Sequence, residues 1–350
     1  MRIAVDAMGG DYAPQEIIKG CIHGVKEYGY EVILVGDESI IKTHLMEYSP
    51  KVRKNISVYH AEQVIGMGET PLKACKEKKN SSIMVACKLV ADGLADGVVS
   101  AGNSGAMLIA SVIHFGLVRG VTRPAIAALF PTLSGFSMIL DVGANVDCRS
   151  THLLQFAVMG HTYAKYILNK PVPRVGLLSI GEEETKGNEV TRQAYELLKR
   201  SKLNFIGNVE GYDIFEGKAD VIVCDGFIGN VILKLSEGVI DVVFKLLNNK
   251  LREKPIRTKL ATLVVKSMFK DVKKLIDYSE YGGAPLLGVN GVCIISHGKS
   301  KANAIKNAIR TAVEVVEQRI GQLICLELEK IKELIKEREE NLTSWEVTTK

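Results

Sequence analysis

Along the chain, short runs that are apolar without interruption alternate with longer segments whose apolar residues return every three or four positions. Ile3-Ala4-Val5, Val32-Ile33-Leu34-Val35 and Val98-Val99 are runs of the first kind, and each predicts a strand covered on both faces. Ile56 to Tyr59 predicts a further strand. Between them, residues 14–28 set Ile17, Ile18, Cys21, Ile22 and Val25 on one helical face, with Pro14 suited to the first turn. Asp37 predicts the cap of the next helix, and 81–92 and 104–117 read as helices on either side of Val98-Val99. A polar loop with Gly66-Met67-Gly68-Glu69-Thr70 runs to Pro71. Ile126–Phe130 and Phe136–Leu140 form a predicted hairpin across Pro131–Gly135. Strands are then predicted at 174–180, 204–206, 221–224 and 291–296, and helices at 149–168, 189–200, from after the 225–230 turn to about 247, and 299–319.

This alternation predicts an α/β fold with a mainly parallel sheet covered by helices on both faces, the hairpin adding an antiparallel element. The sequence has no Gly/Ser/Pro-rich linker and no fixed-period repeat. Residues 1–320 therefore read as a single α/β domain with an amphipathic helical insertion at about 251–277, followed by a C-terminal helix and tail over 321–350.

In such sheets ligands bind beyond the carboxyl ends of strands. Glycine-rich turns follow several of the predicted strands, at 7–11, 100–105 and 141–145. The stretch Gly97 to Ala106 reads as strand, small-residue turn and first helical turn. Its backbone N–H groups point outward without intrahelical partners, and the helix dipole adds positive potential. Gly102, Ser104, Gly105 and Ala106 would let an anion the size of phosphate come close. The competing reading is that Asn103 or Ser104 only caps the helix and the glycines only shape the turn.

Composition narrows the field. The chain has 350 residues, 47% apolar and 24% charged, which suits a folded globular protein. No apolar run is long enough to span a bilayer, and the N-terminus lacks a signal-peptide pattern. Seven scattered cysteines without a Cys-x-x-Cys pair predict buried thiols in a reducing cytosol. The net charge of +5 does not argue for nucleic acid. No Gly-x-Gly-x-x-Gly follows a strand, no Gly-x-Ser-x-Gly elbow occurs, and Gly298-Lys299-Ser300 lacks the first glycine of a P-loop. The histidines show no metal spacing, so no metal and no cofactor is expected. What remains is backbone donors and a few cations, Lys73, Arg123, Arg149 and Lys186, which suit a phosphate that is itself the nucleophile.

Two amphipathic segments stand apart. Between 250 and 274, nine lysines and arginines surround an apolar face that includes Leu260, Leu263, Val264 and Met268. That pattern fits a helix lying in a membrane interface, or one packed on the body or a dimer partner. Residues 323–338 predict a packed C-terminal helix or an oligomer contact.

Several blocks together resemble the PlsX-type phosphate acyltransferases of bacteria: Met1 to Pro14, Ser100 to Ala106, Arg123-Pro124-Ala125, Asp141 to Asn145, Gly181 to Asn188, Asp225 to Asn230, and Gly282 to Gly288. They follow in order from residue 1 to about 320. The resemblance implies a three-layer α/β/α fold similar to phosphotransacetylases and isocitrate/isopropylmalate dehydrogenases. It implies transfer of a fatty acyl group from acyl carrier protein to inorganic phosphate, giving acyl phosphate for phospholipid synthesis. It also implies a cytoplasmic homodimer held peripherally at the membrane, where a downstream membrane acyltransferase would be a further partner. Mapped onto the matched positions, Asn103, Ser104, Arg123 and Lys186 are the expected catalytic residues, with Arg123 or Lys186 neutralising phosphate. Gly102, Gly105, Ala106, Asp141, Asn145, Asn188, Asp225 and Asn230 are the expected phosphate and substrate contacts; Asp141, Asn145, Asp225 and Asn230 have turn or capping roles as the alternative, and for Asn188 the alternative is a solvated loop. His23, His114 and His297 are candidate proton donors or structural residues. Lys299, Lys301, Lys306 and Arg310 are candidates to guide the acidic carrier protein. Two rival readings are a metal-dependent decarboxylating dehydrogenase on the related fold, and a non-enzymatic membrane-associated scaffold.

Overall fold

The structure is a computed structural model and describes residues 1–252 and 282–338. The expected membrane contacts Leu260, Leu263, Val264 and Met268 lie outside the described residues. In chain order the first half holds β1 (Arg2–Asp6), α1 (Gln15–Tyr28), β2 (Glu31–Gly36), α2 (Glu38–Leu45), α3 (Pro50–Arg53), β3 (Ile56–His60), α4 (Pro71–Glu77), α5 (Ser82–Ala91), β4 (Gly97–Ser100) and α6 (Ser104–Phe115). There follow β5 (Ala125–Thr132), β6 (Gly135–Leu140), α7 (Ser150–Tyr166), β7 (Val175–Leu178), α8 (Glu189–Arg200), β8 (Phe205–Val209), α9 (Asp213–Glu216), β9 (Val221–Val223) and α10 (Gly226–Arg252). The last described elements are β10 (Ala284–Leu287), β11 (Val292–Ile295), α12 (Ala302–Glu317) and α13 (Ile320–Glu329).

The 11 described strands join one sheet in the order β3-β2-β1-β4-β11-β10-β5-β6-β9-β7-β8. Period-two burial explains the uninterrupted apolar runs. Ile3 and Val5 face α1 and α12 on one side, whereas Ala4 belongs to the core with α5 and α6 on the other. In the second half, α7, α8 and α13 cover the first face, with Phe156 and Ala157 clustered with Met138 and Val221. Helices α9 and α10 continue the second face, where Ile214, Ile232 and Leu233 join Ile126, Ile139 and Ile222. The result is three layers, α/β/α, as the alternation predicts.

The strand directions go beyond what the apolar pattern predicts. β1, β2, β3, β4 and β11 run parallel to one another, and so do β6, β7, β8 and β9. Between the blocks, β10 is antiparallel to β11 and β5, and β5 is antiparallel to β6. Three reversals in succession turn the second block against the first. The turns after β1 and β4 therefore open at one edge of the sheet, and those after β6, β7 and β9 at the other. β10 itself escapes sequence reading because it is four residues long and carries Pro285, which cannot donate to a ladder. No helix among the described residues is long and apolar enough to cross a membrane.

Candidate functional site

The turn between β4 and α6 is built on a buried carboxylate. Asp6 at the end of β1 accepts the Ser100 hydroxyl at 2.7 Å and the Met8 amide at 3.1 Å. Ser100 Oγ in turn accepts the Gly102 amide at 3.0 Å. Burial pushes the Asp6 carboxyl above the ordinary carboxylate value. The turns after β1 and β4 touch here, and a Cβ on Gly9 would lie 2.8 Å from Gly102 Cα and overlap Asp6 Oδ2. Only a glycine fits at residue 9.

Asn103 is the cap of α6, its Oδ1 accepting the Ala106 amide at 3.1 Å. Its Nδ2 donates to the carbonyls of Gly66, Met67 and Glu69 at 3.3, 3.2 and 3.0 Å. Both ends of the carboxamide are thus engaged, and Asn103 straps the 66–69 loop to the helix start. The Ala106 amide is consumed by the cap and the Gly102 amide by Ser100. The amides of Ser104 and Gly105 have no hydrogen-bond partner among the described residues, and they sit where the α6 dipole is positive.

Ser104 lines a cleft of about 230 Å³ on the face between α6 and α10. Ile126 and Ala128 of β5, Ala284 of β10 and Ile295 of β11 form its apolar floor. Gly143, Asn230, Lys234 and Glu237 line it from the α10 side, and Ser296 and His297 from the end of β11. Groups from opposite edges of the sheet meet here, with Ser104, Ser296 and His297 on one side and Gly143 and Asn230 on the other. Lys234 Nζ donates to Glu237 Oε2 at 2.8 Å and lies 3.4 Å from His297 Nε2. His297 Nδ1 accepts the Lys299 amide at 3.1 Å. Burial, with Lys234 beside it, holds the imidazole below its ordinary value. The Asp11 amide donates to Gly298 O at 2.8 Å, drawing the turn after β1 to the same place. An apolar floor beneath cationic and amide donors can hold a small anion next to an apolar chain. A larger cavity of about 420 Å³, lined by Asp96, Asn290 and Arg319 among others, shares no residue with this cleft.

Of the other expected contacts, Asn230 is exposed and lines the cleft opposite Ser104. Asp141 is turned inward: Oδ1 accepts the amides of Ile126, Gly143 and Ala144, and Oδ2 accepts both the amide and the Nδ2 of Asn145. Asn145 Nδ2 also donates to Pro124 O at 2.7 Å. Asp225 accepts the Ile228 amide at the start of α10, and Asn188 caps α8 through the Thr191 amide. Arg123 is exposed near Cys148 and His152, and Lys186 is exposed in the loop after β7; neither lines the cleft. In that loop Glu182 pairs with Lys218, and Glu184 with Lys199 and Tyr195. The cations that sequence reasoning selected therefore stand outside the cleft, and Lys234, which it passed over, stands inside. The available signal was a pair of charges three residues apart, Lys234 and Glu237, in the otherwise uncharged first half of α10.

Among the candidate carrier-protein contacts, Lys306 pairs with Glu27 at 2.9 Å, and Arg310 lies 3.8 Å from Glu314. Lys301 stacks over the Tyr12 ring, and Lys299 is exposed beside His297.

The model of the fatty acid synthesis protein family matches residues 1–323. A phosphate acyltransferase of Pelotomaculum thermopropionicum is 51% identical over 332 residues, covering 95% of this chain and 96% of its own. One from Dictyoglomus turgidum is 51% identical over 333 residues, covering 95% and 98%. Among solved structures, a phosphotransacetylase from Streptococcus pyogenes superposes with a TM-score of 0.62 at 18% identity, covering 91% of this chain and 94% of its own. A 4-hydroxythreonine-4-phosphate dehydrogenase from Klebsiella pneumoniae does so with a TM-score of 0.52 at 13% identity, covering 90% and 99%. Both share the three-layer fold.

Proposed function

The chain belongs to the phosphate acyltransferases of the fatty acid synthesis protein family, and we propose that its cleft between α6 and α10 is where phosphate meets a fatty acyl thioester. It is an enzyme of fatty acid and phospholipid synthesis that moves an acyl group onto phosphate. The donor in this reading is acyl carrier protein, an acidic partner suited to the exposed Lys299 and the nearby Lys301 at the end of β11. The observation that carries it is a pair of amides at the start of α6, Ser104 and Gly105, unpartnered among the described residues, with Ser104 lining the same cleft as Lys234 above an apolar floor. Phosphate binds at those amides, Lys234 offsets its charge, and the acyl chain lies over Ile126 and Ala128. Arg123 and Lys186, exposed beyond the cleft, are left to meet the carrier protein or its prosthetic arm. Family membership favours this reaction over the decarboxylating dehydrogenase and the scaffold.

The test combines acyl carrier protein thioester with phosphate and traps acyl phosphate with hydroxylamine. Ser104→Pro removes one amide at a position where helices accept proline. The phosphate KM is expected to rise at least about tenfold, as loss of one hydrogen bond to a charged group predicts. An unchanged phosphate KM overturns the placement.

The homodimer reading has its own support. Phe227, Val231, Leu235, Val239, Val242 and Leu246 are all exposed and recur at helical spacing along α10. A second copy of this chain would bury that stripe. Leu235→Glu is expected to shift sedimentation toward the monomer, and an unchanged sedimentation coefficient would remove the stripe from the interface.

A further inference from the structure

Residues three and four apart on a helix share a face, so Asn230, Leu233, Lys234 and Glu237 of α10 all reach the cleft. Lys234 and the amides of Ser104 and Gly105 can only donate, and each suits a phosphate oxygen without a proton. Hydrogen phosphate also carries a proton of its own. A cleft made only of donors would bury that proton without an acceptor.

Glu237 is the one carboxylate among the described residues that line the cleft. Its Oε2 accepts Lys234 Nζ at 2.8 Å, and its Oε1 has no hydrogen-bond partner among the described residues. The side chain is 25% exposed, and the ion pair sets it beside the cation that offsets phosphate's charge. Asp6, Asp141 and Asp225 cannot serve in its place, because each is committed to its own turn. An ionised carboxylate only accepts, so it completes the set of donors around the anion.

We propose that Glu237 is a catalytic residue that takes the proton of the attacking hydrogen phosphate, and that the same carboxylate selects phosphate over sulfate. The inference rests on the cleft being the acyl-transfer site. One phosphate oxygen forms a bond to the thioester carbonyl carbon, and the P–OH proton passes to Glu237 Oε1. The carbon–sulfur bond breaks with its electron pair on sulfur. The proton then moves from Glu237 through solvent to that sulfur, leaving acyl phosphate, a thiol and the carboxylate restored. Sulfate at neutral pH has no proton to offer, so its oxygen would meet the carboxylate as like charge against like charge.

The experiment measures kcat, the phosphate KM and the inhibition constant of inorganic sulfate for the full chain, for Glu237→Gln and for Glu237→Asp, with the hydroxylamine assay. Titration calorimetry with inorganic phosphate and with inorganic sulfate gives both affinities without turnover. The native chain is expected to bind sulfate at least about tenfold more weakly than phosphate. In Glu237→Gln the carbonyl oxygen still accepts the phosphate proton, while the amide can donate to sulfate. Its phosphate KM should stay within about threefold, and its preference for phosphate over sulfate should fall at least about tenfold. Its kcat should drop about 100-fold, because an amide takes no proton. Glu237→Asp keeps the charge, should keep the preference, and should recover at least about tenfold of kcat relative to Gln. If Glu237 only holds Lys234 in place, Glu237→Gln frees the cation and strengthens both anions alike. An unchanged preference or an unchanged kcat in the Gln variant therefore overturns the assignment. If Ser104→Pro leaves the phosphate KM unchanged while Glu237→Gln lowers both kcat and the preference, the placement at the α6 amides fails and the assignment of Glu237 stands. If Ser104→Pro raises the phosphate KM while Glu237→Gln changes neither, the assignment of Glu237 fails and the placement stands.

Discussion

Two buried aspartates end strands in the two halves of this sheet, and each organises the glycine turns beside it. Asp6 accepts a serine hydroxyl and one amide, and through Ser100 ties down Gly102. Asp141 accepts four amides and a side-chain nitrogen. The difference decides what each turn can do. Around Asp6 the organising bonds stop at Gly102 and the cap takes Ala106, so two amides of α6 remain for a ligand. Around Asp141 the carboxylate itself plays the part of the ligand, and the turn is closed on its own chain. A small-residue turn after a strand is thus a binding site only where no nearby carboxylate has already claimed its donors.

The largest effect that could break this contrast comes from Asp141→Asn. An amide in place of Oδ2 would confront two donors of Asn145, held at 2.7 and 2.8 Å in the native turn. Loss of these bonds to a charged group should cost about 3 kcal/mol of stability in denaturant unfolding. The phosphate KM of the folded fraction should stay within about twofold. A specific loss of phosphate affinity would place the ligand at the wrong turn. Ser104→Pro is the mirror experiment: about 2 kcal/mol lost in phosphate binding with little change in unfolding. If it instead unfolds the protein, the amide at 104 belongs to the fold rather than to the site.

The smallest effect is in the pH dependence of stability. Burial raises the Asp6 and Asp141 carboxyls, so their contribution to stability is full below the unfolded carboxylate value and is lost as pH rises through the folded values. Asp220, next to β9, shows the opposite. Burial pushes its carboxyl up, but Arg174 and Lys170 together outweigh that and hold it below the ordinary value. Its contribution is present above the unfolded value and lost as pH falls through the folded one. Asp220→Asn should therefore destabilise at neutral pH and converge with wild type in acid, whereas Asp6→Asn should flatten the loss on the neutral side. Parallel unfolding curves across that range for either variant would contradict the sign assigned to it.

Much of this architecture is legible from contiguous residues. The apolar runs predict most of the strands, the three-and-four spacing predicts the long helices, and Asn103 before Ser104-Gly105-Ala106 reads as a cap over outward amides. These features rest on backbone hydrogen bonding and side-chain period, which depend on neighbours a few positions away. Family blocks extend the reading to the reaction. The same blocks also lead to Arg123 and Lys186 as phosphate's counter-ions, and in the fold both stand exposed outside the cleft.

What the sequence by itself determined was which segments are strands and helices, and where a helix begins with small residues. Only the tertiary structure decided which of those beginnings has donors to spare. Ser100 reaches Asp6 across 94 positions and Lys234 meets His297 across 63, contacts that no local period can encode. The four-residue β10 supplies two of the three reversals that set the halves of the sheet against each other. That pairing, a property of strands far apart in the chain, brings Ser104 and Asn230 to one cleft and leaves Asp141 to satisfy its own turn.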